Sequence, residues 1–156
     1  MKNFILLCFY FINYLIMYIP IYFTLSELCN SDTANRLGMF NAPSFSVVYN
    51  LSRLCETVLD VARKELNAPI KITSGYRCPA LNKAIGSSIK SQHIYGLAAD
   101  LVCDNLPHLF DILAYNPHID QLLYEHSNDG STWLHVSISE EGVKPRNYIN
   151  RYYKAK

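Results

Sequence analysis

Ser91-Gln92-His93-Ile94-Tyr95-Gly96-Leu97-Ala98-Ala99-Asp100 decides the reading of this chain. It holds an imidazole and a carboxylate seven residues apart, with a glycine between them and two alanines just before the acid. Neutral nitrogen and anionic oxygen donors are what Zn²⁺ takes, at about 2.0–2.2 Å. Gly96 lets the backbone turn without a Cβ penalty, so a loop carrying His93 can fold back over a strand carrying Asp100. Ala98 and Ala99 leave room beside an ion. A third ligand is still needed, and the candidate is His135 in Trp133-Leu134-His135-Val136-Ser137-Ile138. Three protein ligands leave a fourth position for water, the mark of a catalytic rather than a structural zinc site.

Working outward, residues 97–103 read as a strand. Ala98, Asp100 and Val102 share one face, and Leu97, Ala99, Leu101 and Cys103 share the other. Residues 121–125 and 133–138 read as two more strands, joined by the polar turn Ser127-Asn128-Asp129-Gly130. In the second, Trp133, His135 and Ser137 point one way and Leu134, Val136 and Ile138 point into the core. Glu125 ends the strand beside His135 and is the candidate proton acceptor, with the adjacent His126 as the alternative. Ile70-Lys71-Ile72-Thr73 alternates as a short strand, and Ser74-Gly75 turns the chain so that Arg77 emerges near the motif loop. A guanidinium there could hold a substrate carboxylate or carbonyl through a forked pair of hydrogen bonds; its other reading is a surface salt bridge.

The clearest helix covers residues 46–66. Val47, Leu51, Leu54, Val58, Val61 and Ala62 recur at three- and four-residue steps, and Pro69 closes it. Thr24-Leu25-Ser26-Glu27 is a capping box that opens the folded domain, followed by a short helix over residues 32–37 stopped by Gly38. Pro79 suits the first turn of another helix ending at Gly86. Asn105 and Pro107 start a helix that runs to about Tyr115. His108 and His118, on that helix and the loop after it, are expected to face solvent. The tail beyond Gly142, rich in tyrosine and basic residues, is expected to pack as a short helix.

Residues 4–23 are almost wholly apolar, broken by Asn13 and Pro20, with Lys2 before them. A run of about 20 residues can cross a bilayer. No A-x-A-like cleavage site follows it, so an uncleaved signal-anchor is the first reading and a cleaved signal peptide the second. Residues 1–23 are therefore taken as the leader and residues 24–156 as one domain, long enough to bury its own core. An extracytoplasmic domain, membrane-held or secreted, is the expectation. A net charge of +1 gives no reason to expect nucleic acid. The basic residues Lys144, Arg146, Arg151, Lys154 and Lys156 read as a solvated tail or as contact with an anionic surface. The five cysteines form no C-x-x-C pair, so cysteine-ligated zinc is not expected, and buried free thiols are.

Ser-x-His-x-x-Gly-x-Ala-x-Asp followed by Trp-x-His-Val-Ser resembles the zinc D-Ala-D-Ala carboxypeptidases and related peptidoglycan peptidases, whose fold is shared with the hedgehog signalling domain. The similarity runs from about Thr24 to about Ile138 and takes in Ser74-Gly75-Tyr76-Arg77 and Pro79-Ala80-Leu81-Asn82. The resemblance implies one Zn²⁺ per chain on His93, Asp100 and His135. It implies that Arg77 faces the substrate. Ser91, beside the first ligand, is expected to order the metal loop by hydrogen bonding and is counted with Arg77 as substrate-binding. Many relatives carry the catalytic base as Glu-x-x-His before the last ligand, where this chain has Thr132; another branch keeps a glutamate at the end of the preceding strand, as Glu125 is.

The expected fold is α+β: a small, mainly antiparallel sheet bearing the zinc site on one face, with helices packed on the other. The expected activity is zinc-dependent hydrolysis of a peptidoglycan peptide bond, at D-Ala-D-Ala first. The alternatives are a peptidoglycan endopeptidase, endolysin-like, and a non-catalytic zinc-stabilised binding module. A wall peptide is the expected partner, and a monomer the expected state.

Overall fold

Thr24 opens the domain as the capping box predicts: its Oγ1 accepts from Glu27 N–H at 3.1 Å, and Glu27 Oε2 accepts from Thr24 N–H at 2.8 Å. The computed structural model describes residues 18–154. Two short helices follow the cap, α1 (Leu25–Cys29) and α2 (Asp32–Arg36). The long apolar stripe then forms one helical rod in three pieces: α3 (Phe45–Leu54), a π-helical turn (Cys55–Leu59) and α4 (Asp60–Leu66). The rod ends at Asn67, which adopts the left-handed conformation at φ 50°, two residues before Pro69. Further along come α5 (Pro79–Ala84), a 3₁₀ turn (Gln92–Tyr95) and α6 (Leu106–Ala114), the last capped by the Asn105 side chain.

The strands are β1 (Lys71–Ser74), β2 (Ala98–Val102), β3 (Ile119–His126), β4 (Thr132–Ile138) and β5 (Tyr148–Lys154), in the order β1-β2-β4-β3-β5. Period-two alternation divides the sheet into two faces. Ala99, Leu101, Leu122, Leu134 and Val136 join Leu51, Leu54, Val58, Leu109 and Leu113 of the helices in one buried cluster. Each of the leucines and valines taken fully out of water contributes about 1.5–3 kcal/mol, and truncating one of the leucines to alanine would cost about 2–5 kcal/mol. The opposite face, carrying Asp100, His135 and Glu125, is thereby left for chemistry.

Two expectations are corrected here. The sheet is mixed rather than mainly antiparallel, because β5 runs parallel to β3. The tail beyond Gly142 is accordingly a strand and not a helix. The cause is topological. β4 pairs antiparallel with β3, so it ends beside the start of β3, with Ile138 opposite Ile119. A chain leaving there can cover the free edge of β3 only by running alongside it in the same direction. The residues it brings, Tyr148, Ile149, Tyr152 and Tyr153, are strand formers. The basic tail is not simply solvated either: Arg151 pairs with Asp111 and lies 4.3 Å over the Phe110 ring, and Arg146 pairs with Asp120.

Most of the apolar leader, residues 4–17, lies outside the described residues. Among the described residues no helix is long and apolar enough to cross a membrane. The end of the run packs on the domain. Asp60, buried in the rod, accepts from Tyr18 Oη–H at 2.8 Å, Ile21 N–H at 2.8 Å and Tyr22 N–H at 3.2 Å, and Phe23 is buried in the core cluster.

Candidate metal centre

Strand register assembles two of the three predicted ligands. Asp100 on β2 is the direct cross-strand partner of His135 on β4, and both project from the face away from the helices. The third, His93, arrives on the 3₁₀ turn before β2, which folds back through Gly96 at φ +69°. A side chain at residue 96 would also meet the Val47 carbonyl oxygen at 2.7 Å, so glycine is required twice over. The other neighbour of the loop is Gly75, whose added Cβ would lie 2.1 Å from the Leu28 carbonyl oxygen. That close approach of two backbones brings the Gly75 carbonyl to His93.

The three donor atoms form a near-equilateral triangle. His93 Nε2 lies 3.2 Å from His135 Nδ1 and 3.3 Å from Asp100 Oδ1, and His135 Nδ1 lies 3.0 Å from Asp100 Oδ1. Ligand atoms about 2.0–2.1 Å from a tetrahedral Zn²⁺ stand about 3.3 Å apart, so the set fits the ion with little movement. The His93 tautomer agrees. Its Nδ1 is 2.7 Å from the Gly75 carbonyl oxygen, which can only accept, so Nδ1 carries the proton and Nε2 offers its lone pair to the triangle.

Electrostatics favour the same protonation states. Burial lowers the pKa of His93, which keeps the ring neutral as a ligand must be. Burial alone would raise the pKa of Asp100, but its contacts with His93 and His135 outweigh that and hold the carboxyl well below the usual carboxylate range. Arg77 supports that anion: its Nη2–H donates to Asp100 Oδ2 at 2.7 Å, while Nε–H donates to Ser74 Oγ at 2.8 Å. Asp100 thus keeps Oδ1 for the triangle and gives Oδ2 to the guanidinium. Arg77 is at the site, and its side chain is only 13% exposed.

A cleft of about 640 Å³ opens over the triangle, walled by Glu125, Trp133, Arg77 and Ser91 among others. Glu125 sits opposite Trp133 on β3, two residues along the same face from Leu123, which faces His135 across the strands. It is half-buried, and burial raises its pKa despite the lowering influence of His135. The alternative, His126, is not in the cleft. It alternates to the other face, where it stacks on Tyr124 at 4.9 Å, and Tyr124 in turn packs on Phe110 of α6. Ser91 stands at the head of the 3₁₀ turn; its side chain makes no cap bond, and its carbonyl accepts from Ile94 N–H at 3.2 Å. His108 and His118 are exposed, away from the cleft.

Sequence reasoning missed a second polar cluster behind the loop. Gln92 Nε2–H donates to Asp120 Oδ2 at 2.9 Å and to the Ile138 carbonyl at 3.0 Å. Arg146 holds the same carboxylate and reaches Gln92 Oε1 at 3.3 Å. Asp120 is 3% exposed because a bulge between Ile119 and Gln121 turns it inward. The available signal was an acid at the start of an apolar strand.

No curated protein matches the chain. The family model Peptidase M15 matches residues 21–137, a stretch that holds the whole Ser91–Asp100 motif, Arg77, Glu125 and His135. A match over most of the 156 residues, covering every residue of the triangle and both cleft residues assigned to chemistry, places the chain: it belongs to the peptidase M15 family.

Proposed function

We propose that the chain is a zinc-dependent peptidase that hydrolyses a peptidoglycan peptide bond, with D-Ala-D-Ala carboxypeptidase activity as the first reading. The observation that carries it is the triangle of His93 Nε2, Asp100 Oδ1 and His135 Nδ1, with edges of 3.0–3.3 Å at the floor of an open cleft. Zinc in that position would supply Lewis acidity, polarising the scissile carbonyl and making hydroxide available near neutral pH.

The rest of the work falls to the chain's own residues. His93 and His135 offer neutral nitrogens and Asp100 a fixed anion, held by Arg77 on its outer oxygen. Glu125, on the cleft wall, accepts the proton of the attacking water and returns it to the leaving amine. Its raised pKa suits both halves of that exchange, since the acid form must be accessible for the second. Arg77 has three further N–H groups beyond those on Asp100 and Ser74 and can turn one toward a substrate carbonyl or carboxylate. Ser91 lines the same cleft and offers a hydroxyl to the peptide.

A carboxylate with a raised pKa in the cleft speaks for catalysis over a binding module, which needs no proton acceptor. The apolar run over residues 4–23 supports an extracytoplasmic location, where such a substrate is found; fractionation of cells expressing the full chain tests that separately. The activity is tested by incubating the full chain with zinc and defined muropeptides and weighing the products. Loss of one terminal D-Ala supports the carboxypeptidase, an internal cut supports an endopeptidase, and intact peptides throughout would defeat the proposal.

A further inference from the structure

The geometry points to Arg146 as a positioning residue of the metal centre, acting through Asp120 and Gln92 on the turn that carries His93. The inference rests on the metal site proposed above, and it concerns a residue beyond the stretch the family model matches, which ends at residue 137.

The connection is continuous. Arg146 donates to Asp120 Oδ1 through its backbone N–H at 2.8 Å and through Nε–H at 3.1 Å, and Nε–H also reaches Oδ2 at 3.0 Å. Its Nη2–H completes the fork on Asp120 Oδ2 and also donates to Gln92 Oε1 at 3.3 Å. Gln92 returns a hydrogen bond to Asp120 Oδ2 and another to the Ile138 carbonyl at the end of β4. Gln92 therefore has both amide atoms engaged, and the next residue in the chain is His93.

The turn is held partly from outside the cluster: Asn50 Nδ2–H donates to the Tyr95 carbonyl at 2.9 Å and Arg77 N–H to the His93 carbonyl at 3.2 Å. It is four residues long, with no side-chain cap, and 3₁₀ hydrogen bonds are weaker than α-helical ones. The His93 ring is oriented by its Nδ1–H bond to the Gly75 carbonyl, with Arg77 Nη2 3.2 Å from its Nε2. The Gln92 side chain is the anchor on the other side of the imidazole. Its partner Asp120 would be a buried unpaired carboxylate if Arg146 were removed, so the acid and the guanidinium depend on each other. The tail thus does more than cover the edge of β3: Arg146, at its entry to β5, locks the arm that presents one ligand.

The test uses the full chain as Arg146→Met, Arg146→Lys and Gln92→Met, each metal-stripped and zinc-loaded. Zinc affinity is read by competition with a chromophoric chelator, and amide exchange is followed at Ile94, Gly96 and Leu97. Loss of partners that orient a metal ligand typically weakens binding by about 10–100-fold. Arg146→Met and Gln92→Met should each fall in that range and speed exchange at the three amides, with exchange in the Phe45–Leu54 helix unchanged. Arg146→Lys, which keeps the positive charge but loses the planar fork, should recover part of the loss. Because Gln92→Met leaves the Arg146–Asp120 pair intact, it still reports on the link should Arg146→Met not fold. Zinc affinity and exchange within twofold of wild type in Gln92→Met would overturn the proposal. Faster exchange in a chain whose wild type takes up no zinc would uphold the positioning role while defeating the metal site.

Discussion

Asp100 and His135 stand directly opposite each other on neighbouring antiparallel strands, with Oδ1 and Nδ1 3.0 Å apart. Two of the three candidate ligands are therefore fixed by sheet register, and His93 depends on a loop. A slip of one residue in that pairing would turn one of them into the core, so the same hydrophobic alternation that sets the register also protects the site.

The first prediction follows from the triangle. The full chain should bind one zinc, and His93→Ala or His135→Ala should lose it, since two remaining ligands cannot exclude competing water and chelators. Elemental analysis checks this. Stoichiometric zinc in purified His93→Ala protein would sink the ligand assignment.

The second concerns the base. Glu125→Gln keeps the shape of the side chain and removes the proton acceptor, so zinc should stay while turnover falls by about 10²–10⁴-fold. Burial raises the pKa of Glu125, so the acidic limb of kcat/KM should follow its titration and disappear from the residual activity of the variant. A variant within a few-fold of wild type would remove Glu125 from the mechanism. His126 would not inherit the role, because it stacks on Tyr124 away from the cleft.

The third addresses the backbone contact that steers His93. In Gly75→Ala the new Cβ would lie 2.1 Å from the Leu28 carbonyl oxygen, and neither backbone can yield cheaply. The strain should cost about 1–3 kcal/mol. Because the Gly75 carbonyl holds His93 Nδ1, zinc affinity should fall together with the melting temperature. A variant that melts with wild type and binds zinc equally would show that α1 moves aside freely.

Much of this was legible in the sequence, and what was not had specific causes. The grouping of His93, Asp100 and His135 was readable because each sits in a short, strongly patterned segment: a glycine turn for His93, alternating strands for Asp100 and His135. The long helix was readable from its stripe, although nothing in residues 55–59 announced the π-helical turn. The tail was misread because basic and aromatic composition does not distinguish helix from strand; only the position of the end of β4 dictates a parallel edge strand there. His126 against Glu125 could not be separated by proximity in sequence, since adjacent residues of a strand face opposite ways. Asp120 was missed because a bulge breaks the alternation at that residue.

The last prediction uses the pH dependence of that buried acid. Burial alone would raise the pKa of Asp120, but Arg146 and Gln92 outweigh it and hold the carboxyl below its usual value. A carboxylate whose pKa is lowered on folding stabilises the fold fully above its unfolded pKa, about 3.9 for Asp. That contribution is lost as pH falls from there through the lowered folded value. Asp120→Asn keeps the size of the side chain and removes the charge, leaving Arg146 without its anion. The variant should therefore melt below wild type at pH 7, and the gap should narrow once pH drops below about 4. Calorimetric scans of both proteins between neutral pH and the acid limit of solubility give the comparison. A gap that stays constant across that range would mean that the charge on Asp120 contributes nothing and that the carboxyl serves only as a hydrogen-bonding shape.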